Sequence, residues 1–114
     1  MDISEIVSGL VLELRRGTIV LCTLKKLETP MYGYSLVSEL TDSGIPVEAN
    51  TLYPLLRRLE SQGLLESRWE TGESKPRKYY VTTDAGRQVS AALGKNWRST
   101  VESMNIILEG NNNE

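Results

Sequence analysis

The chain has 114 residues, 39% of them hydrophobic, a formal net charge of −2, one cysteine and no histidine. That length fits one domain by the prior of ~100–200 residues each, and so short a chain gains from burying surface against a second copy. Without histidine, Ser–His and Cys–His nucleophile pairs are excluded; with a single cysteine an intramolecular disulfide is impossible, and the two absences together would leave a zinc ion mostly to carboxylates. Phosphate-cradling glycine loops are absent as well. The expectation is a protein that is not an enzyme and carries no metal or cofactor.

The opening Met1-Asp2-Ile3-Ser4-Glu5 is acidic and unlike a signal peptide. No apolar run approaches the ~18 residues of a membrane span, so a cytoplasmic protein without membrane association is expected. Ile3, Ile6, Val7, Leu10, Val11 and Leu14 recur at steps of three and four, an apolar stripe on one helix face. Asp2 with Glu5 resembles a capping box. Gly17 is read as the break before a second helix, about 18–28, with Val20, Leu21, Leu24 and Leu27 inward and Cys22 as a small buried hydrophobe. Pro30 ends it.

A third helix is expected over 32–42, with Leu36, Val37 and Leu40 inward and Gly44 and Pro46 closing it. A fourth, over 49–62, places Leu52, Leu55, Leu56 and Leu59 on one face, with Gly63 where a C-terminal cap belongs. The pattern then changes to period two. Residues 65–70 and 77–82 read as strands, joined as a hairpin by the Gly- and Pro-containing link 71–76. Thr83 can cap a last helix, about 84–109, with Val89, Leu93, Trp97, Val101, Met104 and Leu108 at apolar positions. Gly94 within it costs ~1 kcal/mol relative to alanine, so packing must support that helix. The tail 110–114 is expected to be disordered.

This order predicts a mainly α fold with a β-hairpin wing. Residues 1–16 form an N-terminal dimerisation helix, 17–83 a winged helix-turn-helix domain and 84–109 a C-terminal dimerisation helix. The stripes Ile3 to Leu14 and Val89 to Leu108 exceed what a monomer of this size covers. A homodimer follows, with Ile6, Val7, Leu10, Val11, Leu14, Val89, Leu93, Trp97, Met104 and Leu108 at its interface.

Although the net charge is negative, residues 49–80 carry six Lys/Arg against four acids, +2, and the remainder sums to −4. Local charge is what a phosphate backbone feels. On the fourth helix Asn50, Pro54, Arg57 and Ser61 lie opposite the leucines, with Tyr53 and Arg58 on the flanks. Arginine can bond guanine edges or phosphates, asparagine can pair with adenine, and tyrosine can donate to a phosphate. The same face would also suit an ordinary solvated helix. Pro54 is acceptable only near the first turn. At the hairpin, Lys75, Arg77 and Lys78 are grouped so that a wing could meet phosphates or the minor groove, or simply form a charged turn.

The run Thr51-Leu52-Tyr53-Pro54-Leu55-Leu56-Arg57-Arg58-Leu59-Glu60-Ser61-Gln62-Gly63-Leu64-Leu65 resembles the recognition-helix motif of PadR-like transcription regulators. So do Tyr32-Gly33-Tyr34 and Arg77-Lys78-Tyr79-Tyr80-Val81-Thr82-Thr83-Asp84-Ala85-Gly86. The resemblance covers about residues 15–87 and implies a homodimeric winged-helix repressor reading a roughly palindromic operator in duplex DNA. Tyr53 and Arg57 fall on motif positions that face DNA in such regulators, and Asn50 stands where many have glycine or a small residue. The full DNA-facing set is Tyr34, Asn50, Thr51, Tyr53, Pro54, Arg57, Arg58, Lys75, Arg77 and Lys78.

The single C-terminal helix looks like the short-tailed branch of that family. There Trp97 resembles a tryptophan that some members use to stack planar drug-like ligands at the dimer interface, with Leu93 and Val101 beside it. Its other reading is plain interface core. A winged-helix protein–protein module without DNA binding is the competing class; such domains lack basic residues on the outward face, where Arg57 and Arg58 stand.

Overall fold

A computed structural model describes residues 1–72 and 75–110. Positions 73, 74 and 111–114, which include part of the hairpin link and most of the expected tail, lie outside the described residues. Helix α1 runs from Ile3 to Lys26 without interruption. The expected break at Gly17 is therefore corrected. A glycine costs a helix interior only ~1 kcal/mol, and apolar spacing continues through it to Leu24. Asp2 caps the start by accepting from the backbone N–H groups of Ser4 and Glu5, and Lys25 and Lys26 complement the dipole in the last turn.

Next come β1 (Met31–Tyr32), α2 (Gly33–Asp42) and α3 (Ala49–Ser61). Both α2 and α3 end in one motif. Ile45 and Leu64 donate back to the carbonyls of Leu40 and Leu59, at 2.8 and 2.9 Å. Gly44 and Gly63 donate to Thr41 and Glu60, at 3.1 and 3.0 Å. This double bond pattern needs a residue at positive φ, and the two glycines have φ of 90° and 82°.

Strands β2 (Leu65–Glu70) and β3 (Arg77–Thr82) form the hairpin, in register from Leu65 opposite Thr82 to Glu70 opposite Arg77. The sheet order is β1-β3-β2, with Met31 opposite Tyr80 and Tyr32 opposite Tyr79. A two-residue strand is too short to show periodicity, so β1 was not expected. Helix α4 spans Asp84–Glu109, and Thr83 caps it by accepting from the Gly86 N–H.

The core gathers Leu24, Leu27, Leu36, Leu40, Leu52, Leu56, Leu59, Leu65 and Tyr80. Each fully buried leucine contributes ~1.5–3 kcal/mol. Thr82 ties the wing to α1: its hydroxyl donates to the Leu24 carbonyl at 2.7 Å, and its N–H donates to that of Leu27 at 2.8 Å. All of these residues lie between positions 24 and 82. The start of α1 and the end of α4 extend past them, and the radius of gyration is 17.1 Å against ~13 Å for a compact chain of this length.

Candidate nucleic-acid interface

Helix α3 is held from behind and open in front. Leu52, Leu56 and Leu59 are fully buried, whereas Asn50, Thr51, Pro54, Arg57, Arg58 and Ser61 are exposed. Helix α3 begins at Ala49, as expected, with Glu48 as its cap, so Pro54 is its sixth residue and lies just past the first turn. Its missing N–H frees the Asn50 carbonyl on the exposed face, where water or a ligand can satisfy it.

Tyr53 differs from its neighbours in being half-buried against α2. Its ring occupies the space where a Cβ on Gly33 would stand, at 2.6 Å from Cε1 and 2.7 Å from the hydroxyl oxygen. The glycine of the Tyr32-Gly33-Tyr34 motif thus lets α2 and α3 approach.

The wing is fastened to this pair by aromatic and cationic side chains. The Tyr32 and Tyr34 rings stack with centroids 6.1 Å apart. Arg77 lies over Tyr32, 4.8 Å from its centroid, and donates to the Tyr34 hydroxyl at 3.2 Å. The Tyr32 hydroxyl donates to the Glu70 carboxylate. That hydrogen bond, with smaller contributions from desolvation and the Glu70 charge, raises the Tyr32 pKa above the ordinary phenol value and keeps it a donor. Tyr32, Glu70 and Trp69 were not among the expected site residues, although Tyr32 stands in the Tyr32-Gly33-Tyr34 motif and Trp69 and Glu70 end the first strand run.

Lys78 turns inward. It lies 5.8 Å from the Trp69 ring centroid, 5.5 Å from that of Tyr80 and 4.0 Å from the Glu60 carboxylate. Ser67 donates to the other Glu60 oxygen at 2.5 Å. Lys78 therefore joins wing to α3, whereas Lys75 is exposed at the hairpin end. Tyr34, Tyr53, Arg77 and Lys78 come together with Tyr32 and Trp69 around a hollow of about 390 Å³ between α2, α3 and the wing.

Away from this face, Ile6, Val7, Leu10 and Leu14 of α1 are exposed, as are Trp97, Met104 and Leu108 of α4. Val11 and Val101 are half-buried, and Val89 and Leu93 pack on the core of their own chain. Leu12, Ile106 and Ile107 are exposed too. They fall outside the stripes read from the sequence; the apolar run Ile106-Ile107-Leu108 hinted at the last two, and no pattern singled out Leu12. Trp97, 47% exposed, borders a cleft of about 590 Å³ between α1, the end of α2 and α4. Leu93 and Val101 do not line it. Cys22 does, and burial raises its thiol pKa, with Lys26 opposing the shift.

The transcriptional regulator PadR-like family model matches residues 20–92. The chain is 37% identical over 83 residues to the transcriptional regulator Rv3488 of Mycobacterium tuberculosis, covering 73% of this chain and 75% of that protein. Its structure is similar to that of a PadR family transcriptional regulator from Eggerthella lenta, with 56% identity, a TM-score of 0.89, and 95% and 96% of the two chains covered. A PadR-like regulator from Bacillus cereus aligns at 28% identity and a TM-score of 0.77, covering 86% of this chain and 98% of the other. Among the described residues no helix is long and apolar enough to cross a membrane. The chain belongs to the PadR-like family of transcriptional regulators and is a winged-helix, DNA-binding regulator rather than an enzyme.

Proposed function

We propose that the chain is a repressor that binds a near-palindromic operator in the cytoplasm as a homodimer, with α3 in the major groove and the wing on the adjoining backbone. The observation carrying this reading is the α3 face itself, where Asn50, Thr51, Pro54, Arg57 and Arg58 stand exposed over a fully buried leucine row. Lys75 and Arg77 extend the basic surface along the wing. The exposed apolar side chains of α1 and α4 support the dimer, since surfaces of this kind mark interfaces. Hydroxyl-radical footprinting should reveal two protected half-sites about one helical turn, ~34 Å, apart. A single unpaired half-site would contradict the dimeric reading.

We further propose that a planar effector stacks on Trp97 and releases the operator. The half-exposed indole at the cleft supports it. On the cleft walls Lys25, Lys26 and Arg87 pair with Glu28, Glu39 and Asp84, whereas Lys95 and Arg98 form no ion pair among the described residues, and these two cations favour an anionic ring system. By linkage, DNA then weakens effector binding by the same factor that the effector weakens DNA. Equal effector affinity with and without operator would overturn this reading.

A further inference from the structure

Helices α1 and α3 enclose a second groove, of about 360 Å³, on the flank of the recognition helix. Ile19 and Leu55 contribute apolar walls, Thr51 and Pro54 line it from α3, and Arg16 and Arg58 supply the charges. Both arginines are exposed. Among the described residues neither forms an ion pair, and no carboxylate lines the groove. Two guanidinium groups from different elements thus converge on one apolar recess with no anion on the protein to offset their repulsion.

The position of the groove says which anion would fill it. With about 100° between successive residues, Tyr53 and Arg57 lie on one shoulder of α3, and Thr51, Leu55 and Arg58 on the other. The first shoulder faces the wing: Tyr53 lines the hollow with Arg77, and Arg57 is near enough to Tyr80 to act on its phenol. The second faces α1 and Arg16. A helix lying in a major groove ~12 Å wide has a phosphate backbone on each side. The wing serves one of them, and the paired arginines suit the other. Arginine's planar fork binds phosphate through two parallel hydrogen bonds, while its stem rests on apolar surface.

We propose that Arg16 and Arg58 clamp a DNA backbone phosphate on the side of α3 away from the wing. This makes the middle of α1, read from sequence as a helix break, part of the DNA-binding surface. The proposal rests on the reading that α3 enters the major groove, and its test separates the two.

Fluorescence anisotropy of the full chain on its footprinted operator and on an unrelated duplex, over a salt series, reads both. Arg16→Ala should weaken both duplexes by the same factor and flatten the log-affinity against log-salt slope by ~1. Arg16→Lys should retain the slope, and light scattering should give the parental mass for each variant. Arg57→Ala should instead erode the preference for operator. Parental affinity and slope for Arg16→Ala, alongside an Arg57→Ala that loses preference, would overturn the clamp and leave the recognition helix standing. If Arg57→Ala is also neutral, the placement of α3 falls and the clamp with it. A changed mass for Arg16→Ala would assign the groove to a second copy of the chain and overturn the clamp.

Discussion

Tyr53 of α3 lies over Gly33 of α2, so that a Cβ on Gly33 would stand 2.6 to 2.9 Å from three atoms of its ring. Two residues of different sequence motifs thereby set the spacing between the helices of the helix-turn-helix. Gly33→Ala must push the Tyr53 ring aside or widen this spacing, and should cost about 1–3 kcal/mol in urea unfolding, the usual penalty for overpacking. In Gly33→Ala combined with Tyr53→Ala the added methyl has room. The double variant should lose less than the sum of the single losses, and simple additivity would contradict the contact.

Gly86 and Gly17 should respond oppositely to alanine. A Cβ on Gly86 would fall 2.2 Å from the Leu64 carbonyl oxygen, a backbone atom that cannot swing aside, whereas one on Gly17 meets nothing within 4 Å. Gly17→Ala should therefore raise stability by about 0.5–1 kcal/mol, because helix propensity improves at no steric cost. Gly86→Ala should lower the melting temperature sharply. Thermal unfolding of both, followed by circular dichroism, checks the pair, and a destabilised Gly17→Ala would argue against an unbroken α1.

The legible parts of this fold were those whose apolar pattern repeats over several residues. The leucine row of α3, both six-residue strands and α4 follow from the spacing of apolar residues and from Gly63 and Thr83 at the ends. The single α1 was not legible, since glycine's low propensity looks the same in sequence whether a helix stops or continues. The interface was half legible. Exposed arginines follow from the helical wheel, but the inward turn of Lys78 depends on Glu60, Trp69 and Tyr80, which different elements bring together. Tyr53 belonged to a DNA-facing motif, yet its half-buried position depends on a glycine twenty residues away in sequence.

An acidic side chain on the α1 stripe should separate the subunits of the proposed dimer. Light scattering of the parent should give about twice 12.8 kDa. Leu10→Glu, at an exposed position outside the core, should give a folded monomer, since an unpaired charge is costly at a buried interface. A parental mass for that variant would move the interface elsewhere.

Alkaline unfolding should report on Tyr80. Burial raises its phenol pKa above 10.0, Glu60 adds to the shift, and Arg57 works against it. Below that ordinary value both folded and unfolded chains keep the proton, so the group adds no pH dependence. Above it the unfolded chain ionises first, and stability is lost as pH rises through the raised folded value. Of the five tyrosines, Tyr80 should be among the last to give tyrosinate absorbance. A Tyr80→Phe spectrum that still contains every late-titrating step would contradict this.

If the exposed face of α3 reads DNA sequence, Arg57→Ala must change the affinity ratio between operator and unrelated duplex. Loss of a side chain bonded to a base edge costs about 1–3 kcal/mol of discrimination at that position. At fixed salt the ratio should fall about 5- to 150-fold, chiefly through weaker operator binding. An Arg57→Ala protein that keeps both the parental operator affinity and the parental ratio would contradict it.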